Sequence, residues 1–152
     1  MRSNLYNSDL ALATRIAIIL AARPQIPRSE QILAAIDFLV TNAGDFGLYP
    51  TNLHGDSIYV SAEFPARLQH IQRGLRYAVT RGFVTATPAT DGIHFRINPA
   101  GAAFVDRLGS QYLNDFKRAL TPVLVFVDSR TDREVLRRIE RQDLEPSRED
   151  RT

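Results

Sequence analysis

The densest set of side chains able to do chemistry lies between the second apolar segment and the middle of the chain: Asp37, Asn42, Asp45, Asn52, His54 and Asp56. Asp37, Asp45 and His54 together offer two carboxylates and an imidazole, a donor set that suits several divalent ions. A small hydrolase built around Asp45 and His54 is a third reading. The opposing reading is structural. A long loop must find partners for its buried backbone groups, and Asx and His side chains supply them. Asp37, Asp45 and His54, with Glu63 and Arg67, are on that reading a structural network. Glu63 and Arg67 are four residues apart on one flank of a helix, the spacing of an ion pair. The expectation is therefore no catalytic, cofactor or metal site, and no enzyme activity.

Other chemistries lack their residues. There is no cysteine, hence no disulfide framework, thiolate metal site or cysteine nucleophile. No Gly-x-x-x-x-Gly-Lys-Ser/Thr loop is present, so nucleotide chemistry would have to come from a partner. His54, His70 and His94 are too scattered for a His-Glu-x-x-His helix. Of the 19 cationic residues only Lys117 is lysine. Arginine forks suit phosphate and carboxylate and stay charged when partly buried, although GC-rich coding produces the same bias.

The elements that must position these residues follow from periodicity. In the stretch from Glu63 to Leu108, Phe64, Leu68, Ile71, Leu75 and Val79 recur at helical spacing. Arg81-Gly82-Phe83 closes that helix and opens a strand, Phe83 to Thr87. A turn with Pro88, Asp91 and Gly92 leads to the alternating return strand Ile93–Ile97. Asn98-Pro99 then caps another helix. Helix, hairpin, helix is the second half of a winged helix-turn-helix. The fold expected is mainly α, with helices near 9–22, 29–42, 63–81, 99–108 and 111–129 and a hairpin wing at 83–97. A short strand at Ile58-Tyr59-Val60 would shorten the gap between Ala43 and Ala62. Residues 1–128 make the winged-helix domain; 129–152, with seven arginines against seven acids and Val135, Leu136 and Ile139 as weak anchors, make a charged helix that frays into disorder after Pro146.

The run Leu10–Ala22 is broken by Thr14 and Arg15, too short and interrupted for a membrane span or signal peptide. With 44% hydrophobic residues in 152, a soluble cytoplasmic domain is expected. The net charge of +2 does not itself imply nucleic acid. Between Glu63 and Arg96, however, five arginines face two acids, and Arg73, Arg76, Arg81 and Arg96 are the candidates for DNA contact. Gly74, inside the same helix, implies close approach by another backbone, with the long loop as the candidate. Further on, Leu113, Phe116, Leu120, Val123 and Val127 follow a four-and-three spacing, the seam of a coiled coil interrupted by Pro122. That stripe is the expected protein interface, for a homodimer or for a partner subunit. The segment from Val123 to Val127 also suits a short buried strand.

The ordered set Asp37…Asn42-Ala43-Gly44-Asp45…Asn52-Leu53-His54…Glu63…Arg67…Gly74-Leu75…Arg81-Gly82-Phe83-Val84…Gly92-Ile93…Phe95, continuing through Phe104, Leu108, Ser110 and Tyr112, resembles the middle component of bacterial ABC-three-component systems. A His-Ser-Gly-Asp stretch is usual there; here its first two positions are Asn42 and Ala43, which speaks against a metal or acid–base role. The resemblance implies a small non-enzymatic subunit encoded beside an SMC-like ABC ATPase and a variable effector component, in Lamassu-related systems directed against phage or plasmids. The alternative from the residues alone is a free-standing winged-helix transcription regulator with Glu63–Thr80 as its recognition helix.

Overall fold

The computed structural model describes residues 6–54 and 64–144, the last three without their side chains. The elements run α1 (Asp9–Ala22), β1 (Arg28–Ser29), α2 (Glu30–Thr41), α3 (Phe64–Thr80), β2 (Val84–Ala89), β3 (Gly92–Ile97), α4 (Pro99–Asp106), α5 (Gln111–Asp128) and α6 (Asp132–Leu144). Among the described residues the molecule is mainly helical, with one small antiparallel sheet in the order β1-β3-β2.

The helix starts are written in the sequence. Ser8, Ser29, Asn98 and Ser110 each accept a backbone N–H three residues on, the capping bond that satisfies a donor left open by the first turn. Asn98 is followed by Pro99 at the first helical position, where the missing N–H costs nothing. Thr131 and Glu134 cap α6 reciprocally: Glu134 N–H donates to the Thr131 hydroxyl (3.2 Å), and Thr131 N–H donates to the Glu134 carboxylate (3.1 Å). α3 stops at Gly82, whose φ of 77° is a left-handed conformation; Phe83 N–H then reaches back to the Ala78 carbonyl at 3.0 Å.

α1 and α2 form the centre. Every residue from Leu12 to Leu20 and from Ile32 to Asn42 is buried, as befits helices that are apolar nearly all round. α3 and α4 pack on α1, while α3, α5 and α6 pack on α2. Gly74 lets α3 approach α1 closely: a Cβ there would meet Leu12 Cβ at 2.7 Å and Ile16 Cδ1 at 2.9 Å. The backbone expected to approach Gly74 is thus that of α1, not of the long loop. This contact turns α3, so that Arg67, Ile71, Gly74, Leu75 and Ala78 are its buried residues and Val79 is exposed.

Several expectations need correction. β2 runs on to Ala89, with Pro88 paired to Ile93. Proline is tolerated there because β2 is an edge strand, and the turn shrinks to Thr90-Asp91. β1 escaped the sequence reading, since two residues carry no period; Arg28 and Ser29 pair with Phe95 and His94. α5 continues through Pro122 as one helix, so Val123–Val127 is not a strand. Its stripe is not an open interface: Phe116, Leu120, Val123 and Val127 are 0–3% exposed, covered by the chain's own core, and Leu113 is half-buried. The division at residue 128 also falls inside the packed body, because Val135 and Ile139 of α6 are in the core. The strand proposed at Ile58–Val60, and the tail beyond Leu144, lie outside the described residues.

The described part of the long loop is a series of turns. The Ala43 carbonyl accepts from Leu48 (2.9 Å) and Tyr49 (3.3 Å), and Leu53 N–H reaches Thr41. The Asn52 side chain accepts from Asp45 N–H at 3.0 Å. Phe46 turns inward, edge-on to Phe38. At the far end of the molecule Asp128, closing α5, holds Arg23 and Arg28 at 2.9 and 3.0 Å, tying the α1–β1 turn to that helix.

Candidate functional site

Three helices and the loop converge on one buried carboxylate. Asp37 lies on α2, fully buried, two turns from the start of a helix otherwise lined by Ile, Leu, Ala and Phe. A lone carboxylate there would be expensive. α1 brings Arg15, whose Nε and Nη2 donate to the two carboxylate oxygens at 2.7 and 3.0 Å, a two-pronged fork. α3 brings Arg67, whose Nη1 donates to Asp37 Oδ2 at 2.8 Å and to Thr41 Oγ1 at 2.9 Å. Arg67 also lies over the Phe38 ring. Arg15 is 0% and Arg67 8% exposed.

A ring stack covers the Arg15 end. Arg15 Nη1 donates to the Tyr6 carbonyl. The Tyr6 ring stacks on His54, centroids 3.9 Å apart, and on Tyr112 at 5.3 Å. His54 Nε2 hydrogen-bonds the Tyr112 hydroxyl, and Tyr112 also meets Arg15.

The electrostatics follow from burial and from two guanidinium groups facing one carboxylate. Burial alone would raise the Asp37 pKa, but Arg15 and Arg67 outweigh it and hold the carboxyl well below the usual range. His54 is pushed down to about 3, first by burial and then by the Arg15 charge, so its imidazole is neutral. Burial pushes the Tyr112 hydroxyl up to about 12. All three groups move away from neutrality, whereas a general acid or base works best with a pKa near the operating pH. What this arrangement does chemically is hold α1, α2, α3, the loop and the start of α5 in one register.

The residues expected to form a structural network are thus partly brought together. Asp37, His54 and Arg67 are, and Arg67 reaches Asp37 and Thr41; Glu63 and Asp56 lie outside the described residues. Asp37, Asp45 and His54 do not assemble as ligands: among the described residues no group of three His, Asp or Glu side chains is placed to hold a metal ion. Asn42 uses its amide on the Phe38 carbonyl at 3.0 Å. Arg15 was missed as a site residue. Its signal was visible, a charge within Leu10–Ala22 whose neighbours on every side are core residues.

The DNA-contact candidates lie on α3, just past its end and on β3. Arg73 and Arg76 are exposed on α3, but Arg73 is bound to Asp9 at 3.1 Å and to the Asn7 carbonyl at 2.9 Å. Arg81 lies over the Tyr77 ring, and Arg96 is on the exposed face of β3 opposite Thr85. No helix among the described residues is long and apolar enough to cross a membrane.

No curated protein and no solved structure matches the chain. A family model does match, over residues 5–149, and so takes in the Asp37 cluster, the hairpin and α6 alike. The chain belongs to the family described as ABC-three component (ABC-3C) system Middle Component 2.

Proposed function

We propose that this protein is a non-enzymatic winged-helix adaptor that joins an SMC-like ABC ATPase to the effector component of the same system, in defence against phage or plasmids. Membership of a three-component family supports the existence of partner proteins. The observation that carries the non-enzymatic part is the closed state of the polar site: the Asp37 oxygens are engaged by Arg15 and Arg67, and His54 is held neutral under Tyr6. Such a site spends its polar groups on architecture. The α3–β2–β3–α4 succession supports the winged-helix reading, with the hairpin as the wing.

The test is co-expression with the neighbouring ATPase and effector genes. Co-purification of the ATPase with this protein, and loss of phage or plasmid resistance when its gene is deleted, are the expected results. An ATPase that assembles with the effector equally well without it would end the adaptor reading.

A free-standing DNA-binding regulator is the second reading, favoured by the exposed Arg76, Arg81 and Arg96. In a DNA-binding winged helix, α3 would enter the major groove and the hairpin would touch phosphate. Arg73 already spends its charge on Asp9, so direct DNA contact by the adaptor would be weak and salt-sensitive. Tight sequence-specific binding to a promoter fragment, abolished by Arg76→Glu, would establish the regulator instead.

A further inference from the structure

A cleft opens where the β2–β3 turn, the flank of α3 and the starts of α2 and α6 meet. Leu68, Ile93 and Phe95 give it an apolar lining, and Ile93 is 56% exposed. Among the described residues its charged lining is Glu30, Asp91 and Asp132, one from each of three separate segments, with no cationic side chain. Glu30 accepts from the neutral Gln72 amide at 3.2 Å, with no cationic partner among the described residues. Glu30 and Asp132 are in the first turns of their helices, where an acid offsets the positive end of the dipole. Asp91 has no helix end to serve; its Oδ1 lies 2.9 Å from the His94 Nε2 at the surface. An exposed isoleucine beside an excess of negative charge is a surface that repels phosphate and complements a cationic, apolar peptide.

We propose that this cleft docks a segment of a partner protein from the same system, one apolar side chain seated against Ile93 and Leu68 and flanking arginines or lysines meeting Glu30, Asp91 and Asp132. The inference rests on the adaptor reading, and it places that contact on the side of α3 facing the hairpin rather than on its arginine face.

The experiment uses the full chain and overlapping peptides tiling the neighbouring ATPase and effector sequences. Bound peptides should carry Arg or Lys beside Leu, Ile or Phe. The double substitution Asp91→Lys/Ile93→Ser should weaken them about tenfold or more, with an unchanged melting temperature because both side chains are exposed. Arg76→Glu should not weaken them. Binding of none of the peptides, or binding that the double variant leaves intact, overturns the proposal. Co-purification of the intact ATPase with the wild-type protein is scored separately, so the adaptor reading can survive the loss of the cleft.

Discussion

At the scale of single residues, the buried cluster makes a sharp distinction among arginines that look alike in the sequence. Arg15 and Arg67 share Asp37 in the interior. Removing one partner of a buried ion pair leaves an uncompensated charge, typically at about 3–5 kcal/mol. Arg67→Ala and Arg15→Ala should each lose stability of that order in urea titrations. Arg73 pairs with Asp9 in the open, and exposed pairs contribute roughly 0–1 kcal/mol, so Arg73→Ala should hardly move the midpoint. Similar losses in all three variants would break the assignment. Replacing Arg15, Asp37 and Arg67 together by apolar residues should cost less than either single change, since it removes the desolvation burden along with the attraction.

The same cluster gives a pH dependence. His54 has a folded pKa of about 3 against an ordinary 6.5. Between these values the unfolded chain binds a proton that the folded chain refuses. Its contribution is therefore complete above pH 6.5 and is lost progressively as pH falls toward 3. One such proton is worth up to about 1.4 kcal/mol per pH unit. His70 is also shifted downward, by burial and then by Arg73, and adds to the slope in the same direction. His54→Phe should flatten stability against pH between 6.5 and 4 while keeping the ring stack. A variant with the wild-type slope would show that His54 titrates normally.

At the scale of elements, the helices are held together through positions where no side chain fits. Gly74 touches α1, and a Cβ on Gly101 would lie 2.1 Å from the Phe83 carbonyl and 2.6 Å from Ile97 Cδ1. Alanine gains roughly 1 kcal/mol of helix propensity over glycine, but overpacking typically costs about 1–3 kcal/mol. Gly101→Ala should be the more damaging, because the obstacle is a backbone carbonyl; Gly74→Ala meets a Cβ and a flexible methyl and should lose less. Thermal melts of both variants check this ordering. Gain of stability at Gly101 would contradict the packing of α4 on the start of β2.

At the scale of the whole molecule, α5 and α6 are structural walls. Phe116 is completely buried, so Phe116→Asp should abolish cooperative unfolding instead of yielding a folded monomer, whereas Val125→Asp, at a 63% exposed position, should fold normally. Deleting everything after Asp128 removes Val135 and Ile139 from the core. Each fully buried aliphatic side chain is worth about 1.5–3 kcal/mol, and the shortened chain should lose at least that much in denaturant titration. Unchanged stability would make α6 an independent appendage.

The amino-acid sequence by itself determined what depends on near neighbours along the chain. Caps at Ser8, Ser29, Asn98 and Ser110, the left-handed Gly82 and the alternation of Ile93–Ile97 act over a few residues, so the helices and the hairpin were readable, as was the family through its ordered short motifs. The tertiary structure alone decided which partner each group meets. An arginine paired with a carboxylate 22 residues away leaves no periodic trace, and the same four-and-three stripe on α5 suits a foreign subunit or the chain's own core. Val79 and Ala78 exchanged roles for a similar reason: where α3 presses on α1 is set by the absence of a side chain at Gly74. Burial depends on what packs from elsewhere, and that information is spread over the whole chain.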